Sequence, residues 1–423
     1  MVRNNNEILK QLQEQTREVA AIYVGTYIPR PCGIATYTKD LTNAINILNP
    51  KRLAEIAVLD RPAESYPYPW EAKFRINMYD LSSFIQAADY INRSAAELVC
   101  IQHEFGIFGG PSGEYVIPFM ERIKKPIVTT LHTVTKSPPI DVLNIVQKIA
   151  FYSEAITVMA EACIQRLVKI YKIDKRKIVV IPHGVPDVAF TSPEPYKKNL
   201  GLEGRIIISA INLLSDNKGL EYVIESLPKV IKKHPRILFL IAGMTHPEVL
   251  KWQGEAYRNS LAEKAKELGV EANVMFDNRY VTLEELIHYL MASDFYITPY
   301  LGADQTASGT LAYALAAGKV CLSTPYVYAR EVLADKRGVL IDFRNSTQIA
   351  QALNYYLDHP LTMEKTKRRA YDYGRQMIWH NVALKHLELF RLILAQKKRR
   401  DEKKRREKIK KEIQEAAKKD IKR

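Results

Sequence analysis

At 423 residues, with 47% hydrophobic and 26% charged side chains, the chain has a soluble globular composition, with room for one to three domains and a large core. No apolar run approaches the roughly 20 residues of a bilayer span, and four widely spaced cysteines (Cys32, Cys100, Cys163, Cys321) without a CxxC speak against a disulfide framework or structural zinc. The net charge of +15 is uneven, because residues 396–423 hold 15 Lys/Arg against 6 Asp/Glu, a net of +9.

Residues 1–19 are polar and lack the apolar centre of a secretory signal, so the expected location is cytoplasmic. The first strand is expected at Ala20–Gly25, followed by the loop TYIPRPCGIA and an amphipathic run to Leu48. Apolar segments then recur as AEIAVLD, KFRINMY, ELVCIQHE, PIVTTLHT, AITVMA and KIVVIPHG, most of them separated by helical patterns. That alternation argues for a parallel sheet. A polar, proline-rich linker, Pro186–Gly204, precedes a second series: RIIISAI, RILFLIAG, NVMFDN, DFYITP, KVCLSTP and GVLIDF. Helical segments from Thr347, Thr362 and Trp379 follow. The expected division is 20–187 and 188–376 for two domains, 377–396 for a closing helix and 397–423 for a basic helical tail. The fold class is α/β, two doubly wound parallel-sheet domains facing across a cleft that takes ligands at the carboxyl ends of the strands. The tail is a candidate for peripheral contact with an anionic membrane. It has no aromatic residues to stack on bases, which makes nucleic acid a poor partner, and Ile409, Ile413, Ala416 and Ala417 are too few for deep insertion.

Several chemistries are poorly matched. There is no GxGxxG after the first strand, no GxxxxGK[ST], no GxSxG and no DxD, and His103–Glu104 lacks the second histidine of HExxH. Polar residues at strand ends carry more: Gly33, His103, Glu104, His132 and His183 in the first half, Gly243 in the second. The stretch Ala292–Glu331 reads as strand, polar loop GADQTASG, helix and strand. Backbone N–H groups near Ser308, Gly309 and Thr310 would point outwards as an anion site. In NLLSDNKG, Lys218 would add a full positive charge at a helix start, suited to phosphate.

In order and spacing these motifs resemble retaining glycosyltransferases of family 4, which have the GT-B fold of two Rossmann-like domains. The likeness runs from Ile22 to about Phe390 and rests on YIPRPCGIATYTKDL, IQHEFGIFGG, TLHTV, IPHGV, LLSDNKGLEYVIESL, IAGMTHP, DFYITPY, the Ser308–Thr310 turn, AAGKVCLSTP, Glu331 and Trp379. Three positions depart from it: Gln305 and Tyr313 stand where two glutamates are usual, and Leu213 where an arginine is usual, leaving Arg279 or Arg30 as replacement cations. The resemblance implies metal-free transfer of a hexose from a nucleotide-diphosphate sugar, GDP-mannose or UDP-glucose, to a hydroxyl of a sugar, polysaccharide or lipid-linked acceptor, with retained configuration and no cofactor. It implies catalytic roles for His132, Lys218 and Gln305, and donor contacts from Gly33, Gly243, Arg279, Tyr280, Ser308, Gly309, Thr310, Tyr313 and Glu331. The departures keep two other readings open: a glycan phosphorylase or epimerase on the same fold, and a non-catalytic binding subunit.

Overall fold

The structure, a computed structural model, describes residues 17–420; positions 1–16 of the expected N-terminal segment and the last three residues of the tail lie outside the described residues. The first domain runs β1 (Ala21–Gly25), α1 (Gly33–Leu48), β2 (Glu55–Asp60), β3 (Ala72–Asn77), α2 (Leu81–Arg93), β4 (Leu98–His103) and α3 (Val116–Arg122). It continues through β5 (Ile127–Leu131), α4 (Ile140–Tyr152), β6 (Ala155–Val158), α5 (Ala162–Lys169) and β7 (Ile178–Val180). The second begins with α6 (Glu194–Asn199), β8 (Ile206–Ile211), α7 (Glu221–Ile231), β9 (Ile237–Ala242), α8 (Pro247–Gln253), α9 (Ala256–Glu267) and β10 (Val274–Asp277). Then come α10 (Leu283–Ala292), β11 (Phe295–Thr298), α11 (Gly309–Ala316), β12 (Val320–Ser323), α12 (Val327–Val332), β13 (Gly338–Leu340), α13 (Ser346–Asp358) and α14 (Pro360–Gly374). A long helix, α15 (Trp379–Asp420), closes the described chain.

Both sheets are parallel. Their strand orders are β3-β2-β1-β4-β5-β6-β7 and β10-β9-β8-β11-β12-β13. The cause is visible in the strands: IIISAI and ILFLIA are nearly continuous apolar runs, buried almost end to end, as strands covered on both faces must be. The winding reverses between β1 and β4 in one sheet and between β8 and β11 in the other. Those two switch points leave crevices at the carboxyl ends, where ligands of such sheets sit.

One buried apolar cluster runs from the first sheet through α11, α12 and α15, while the far side of the second sheet has its own. The lobes therefore share a packed seam. Two features differ from the sequence expectation. The linker Pro186–Gly204 contains a helical turn, α6, whose Lys197 is buried between Glu194 (2.9 Å) and Asp294 (3.0 Å). The closing helix and the basic tail are one uninterrupted α15, supported along the tail by the i,i+4 pairs Lys403–Glu407 and Lys408–Glu412.

Candidate active site between the lobes

A cavity of about 200 Å³ lies between the carboxyl edges of the two sheets. From the first lobe it takes Gly33, Tyr37 and His183, and from the second Asn212, Gly243, Tyr280 and the α11 start, Gly309–Thr310. Gly33 opens α1 with nothing near the place its Cβ would occupy, so that helix end is free for close approach. Tyr37, one turn on, meets His132, His183 and Trp379 edge-on, with ring centroids 4.9, 5.1 and 5.3 Å away. His132 does not line the cavity; its Nε2 donates to Gln102 Oε1 at 3.0 Å, and burial holds its pKa down to about 3. The ring is neutral at pH 7 and keeps Nδ1 as an acceptor. His183 is likewise pushed down to about 4 by burial, and its Nε2 sits 3.0 Å from where a Cβ on Gly309 would stand.

In the second lobe, Gly243 has φ +127° and passes so close to β8 that a Cβ would lie 2.0 Å from Asn212 O. Only glycine fits there. Asn212 lines the same cavity, and both polar atoms of its buried amide lack a partner. Sequence reading passed over Asn212; an amide directly after a buried strand at a switch point was the available signal. Ser308 starts α11 with φ −151° and no side-chain cap, which leaves the helix end to a ligand. Lys218 ends the 3-10 turn ahead of α7, is absent from the cavity lining, and rests its ammonium 4.4 Å from the Tyr300 ring centroid. Tyr300 stacks on Tyr326 at 5.4 Å, and Leu301 N donates to Asn217 O at 2.9 Å. Lys218, in the β8–α7 loop, thus packs against the connection that leads from β11 into the α11 start. Among the described residues Lys218 has no carboxylate partner, and its field helps to lower the pKa of His246, second to burial.

Other expected ligands lie elsewhere. Arg279 is exposed and held by Asp277 (2.9 Å) and Glu285 (2.9 Å), Arg30 is buried against Leu59 O, and neither lines the cavity. Gln305 folds its amide onto Ala307 O at 2.9 Å. Glu331 accepts from Glu161 N (2.9 Å) and Ala162 N (3.1 Å), capping α5 of the opposite lobe instead of reaching the cavity.

These last contacts belong to a set that holds the lobes together. Thr306 Oγ1 accepts from Val134 N and donates to His132 O, Asp304 pairs with Arg166 at 2.9 Å, and Arg61 reaches Glu248 at 2.6 Å. Tyr313 donates to Asp40 Oδ2 across the seam at 3.1 Å. Burial of Asp40 raises its pKa to about 6, against which the Tyr313 hydroxyl and Lys39 work more weakly. The folded value lies above the unfolded one, so the protonated form stabilises the fold below the unfolded pKa, and that stabilisation is lost as pH rises through about 6. Asp40→Asn keeps an acceptor for Tyr313 and removes the charge. It is expected to stabilise the protein at pH 8 by about 1–3 kcal/mol and to flatten the fall in melting temperature between about pH 4 and 6. Thermal unfolding of both proteins across that range checks this; parallel profiles would exclude Asp40 as the cause.

Comparison with known proteins agrees with this geometry. The chain is 21% identical over 343 residues to alpha-monoglucosyldiacylglycerol synthase of Streptococcus pneumoniae, covering 74% of this chain and 73% of that one. It is 26% identical over 236 residues to phosphatidyl-myo-inositol mannosyltransferase of Mycolicibacterium smegmatis, covering 55% of this chain and 56% of that one. In fold it superimposes on Anabaena HepE in complex with UDP and glucose with a TM-score of 0.70 at 13% identity, over 88% of this chain and 99% of that chain. Sucrose-phosphate synthase of Thermosynechococcus elongatus gives 0.70 at 14%, over 90% and 100%. The two facing parallel-sheet domains are those of the GT-B fold. The family model of "Glycosyl transferases group 1" matches residues 193–377, from α6 to the turn before α15, so the second domain is similar to that of the group 1 glycosyltransferases.

Proposed function

We propose that this hexosyltransferase moves its sugar from a nucleoside diphosphate donor to an acceptor hydroxyl with retained anomeric configuration and without a divalent metal. The observation that carries this reading is the uncapped start of α11 together with the ammonium of Lys218, which has no carboxylate partner among the described residues and lies on Tyr300 of the β11–α11 connection. Charge that develops on a departing diphosphate would be met there by backbone amides and one fixed cation. Once the lobes part, neutral His132 would accept a hydrogen bond from a sugar hydroxyl at Nδ1, its one N–H being spent on Gln102, and would not act as a general acid at pH 7. Tyr280 and the apolar residues beside it would hold the nucleoside. At about 200 Å³ the cavity is smaller than the ~300–1,000 Å³ of ordinary ligand pockets, so the lobes would part to admit a donor and close to exclude water.

UDP-glucose and GDP-mannose are the donors to test first, since HepE is described with UDP and glucose and one relative is named as a mannosyltransferase. The acceptor would be a sugar, polysaccharide or lipid-linked sugar, and the enzyme would work in the cytoplasm with its basic tail on an anionic membrane. No described helix is long and apolar enough to cross a membrane. A thermal-shift and hydrolysis screen over nucleotide sugars tests the reading: one donor should raise the melting temperature and release its nucleotide. No response to any of them would refute it.

Asn212 supplies a sharper test. A donor that satisfies its two orphaned amide atoms gains what the free protein forgoes. Asn212→Ala is therefore expected to raise the donor Kd about tenfold, about 1.4 kcal/mol, with no loss of melting temperature in the free protein. Calorimetric titration and unfolding scans read both; an unchanged Kd would place Asn212 outside the donor contacts.

A further inference from the structure

The edge of the first sheet that faces away from the cleft carries its own features. All its strands are parallel, so the residues that precede each strand meet along that edge. There Lys51 and Arg52 lead into β2, Trp70 and Lys73 flank the start of β3, and Phe151 lies in the last turn of α4 just before β6. A cavity of about 260 Å³ opens at this edge, lined by Lys51, Arg52, Leu53, Trp70 and Lys73. Trp70 is 62% and Phe151 75% exposed, as is Ile47 at 76% in the last turn of α1. The Lys73 ammonium lies 4.8 Å from the Trp70 ring centroid.

The charge balance is one-sided. The edge carboxylates Glu97, Glu154 and Asp174 are each engaged by an arginine: Arg17, Arg400 and Arg176. Among the described residues the side chains of Lys51, Arg52 and Lys73 have no carboxylate partner; the acids nearby are Glu18, which accepts from the Lys51 backbone N–H at 2.7 Å, and Glu55 in the cavity lining. The tail runs to the same edge: Arg400 grips both oxygens of Glu154 (2.8 and 3.1 Å), and Lys397 lies within electrostatic reach of Lys125, just ahead of β5. Cations beside exposed aromatic and aliphatic side chains are the chemistry of a headgroup interface: the ammonium and guanidinium groups take phosphates, and the rings settle at the acyl boundary.

We infer that this edge is a docking face for an anionic lipid surface, with lipid phosphates seated among Lys51, Arg52 and Lys73 and with Trp70 at the membrane boundary. It extends the tail contact proposed above from α15 to the body of the first lobe. Because strands of this length span ~17–20 Å, the cleft opens on the side away from the surface. Transfer to a soluble acceptor therefore does not depend on the face.

The test is co-sedimentation of the full chain with neutral phosphatidylcholine vesicles and with vesicles that also carry anionic phospholipid. The protein is expected to sediment with the anionic vesicles only, and less so as salt is raised. Lys51→Glu, Arg52→Glu and Lys73→Glu combined with Trp70→Ala is expected to lower that partition roughly 100-fold while leaving soluble-acceptor transfer intact. In a Trp252→Phe background, where Trp70 and the packed Trp379 remain, the emission should shift to the blue on anionic vesicles, and the shift should vanish when Trp70 is also replaced by Phe. A second variant reverses the tail cations Lys403, Lys404, Arg405 and Arg406 to glutamate. If that variant alone loses binding, the tail contact stands and the face falls. Equal binding to neutral vesicles, a face variant that sediments like the unmodified protein, an unshifted Trp70, or preference for a duplex oligonucleotide over vesicles each overturns the proposal.

Discussion

Lys218→Ala is expected to lower turnover by about tenfold or more, at least about 1.4 kcal/mol of barrier. The size of the loss follows from how few positive groups surround the α11 start. Leu213 stands where group relatives are expected to carry arginine, Arg279 is consumed by Asp277 and Glu285, and Arg30 is buried against a carbonyl. His246 is held towards neutrality by burial first and by Lys218 second. Lys218 is thus asked to meet most of the leaving-group charge that backbone amides do not. The Tyr300 ring at 4.4 Å fixes the ammonium without neutralising it, which preserves its charge for the substrate. Lys218→Arg should recover part of the rate, because the charge returns with a different reach. Turnover at saturating donor separates this from weakened binding, and the unfolding free energy should stay within about 0.5 kcal/mol of the parent, as for other surface changes. Full turnover in the alanine variant would remove Lys218 from the chemistry.

The architecture was readable because parallel strands buried on both faces write themselves as apolar runs, and β8 and β9 are such runs. Glycines were readable too: Gly243 was singled out as a small residue after a strand, and the structure supplies the reason in the 2.0 Å approach to Asn212 O. What the sequence could not disclose is which polar side chains turn inwards and which turn across the seam. Glu331 occupies the expected place in the order of motifs, yet its carboxylate caps α5 of the other lobe. Tyr313 stands where a glutamate is usual, and the structure shows its hydroxyl spent on Asp40, 273 positions away in the chain. Partners that far apart leave no trace in local periodicity. The continuity of α15 was hidden for the opposite reason: the change from apolar-striped to fully charged marks a change of environment, from lobe surface to solvent, while helix propensity continues unbroken.

Gly184→Ala is expected to destabilise the protein by about 3 kcal/mol and to loosen α15 from the first lobe. A Cβ at Gly184 would lie 2.1 Å from Trp379 Cε3 and 2.3 Å from two further indole atoms, well inside any contact a real methyl makes. Neither side can give way cheaply. The indole is pinned edge-on to Tyr37, and the backbone is tied by Val185 N to Met377 O (2.9 Å) and Trp379 N to Val185 O (3.0 Å). Relief by swinging the ring would open the aromatic cluster of Tyr37, His132 and His183, so the strain would reach the cavity through His183 and its contact with Gly309. The variant should therefore show a lower melting temperature, faster proteolysis ahead of α15 and weaker donor binding together. Trp379→Leu costs packing in the parent but frees the space the new methyl needs, so the two changes should couple strongly when combined, the double variant being less damaged than the sum of the singles. Additive losses would mean that Gly184 and Trp379 do not press on each other, and that the closing helix is held by its Val382, Leu387, Phe390 and Ile393 face alone.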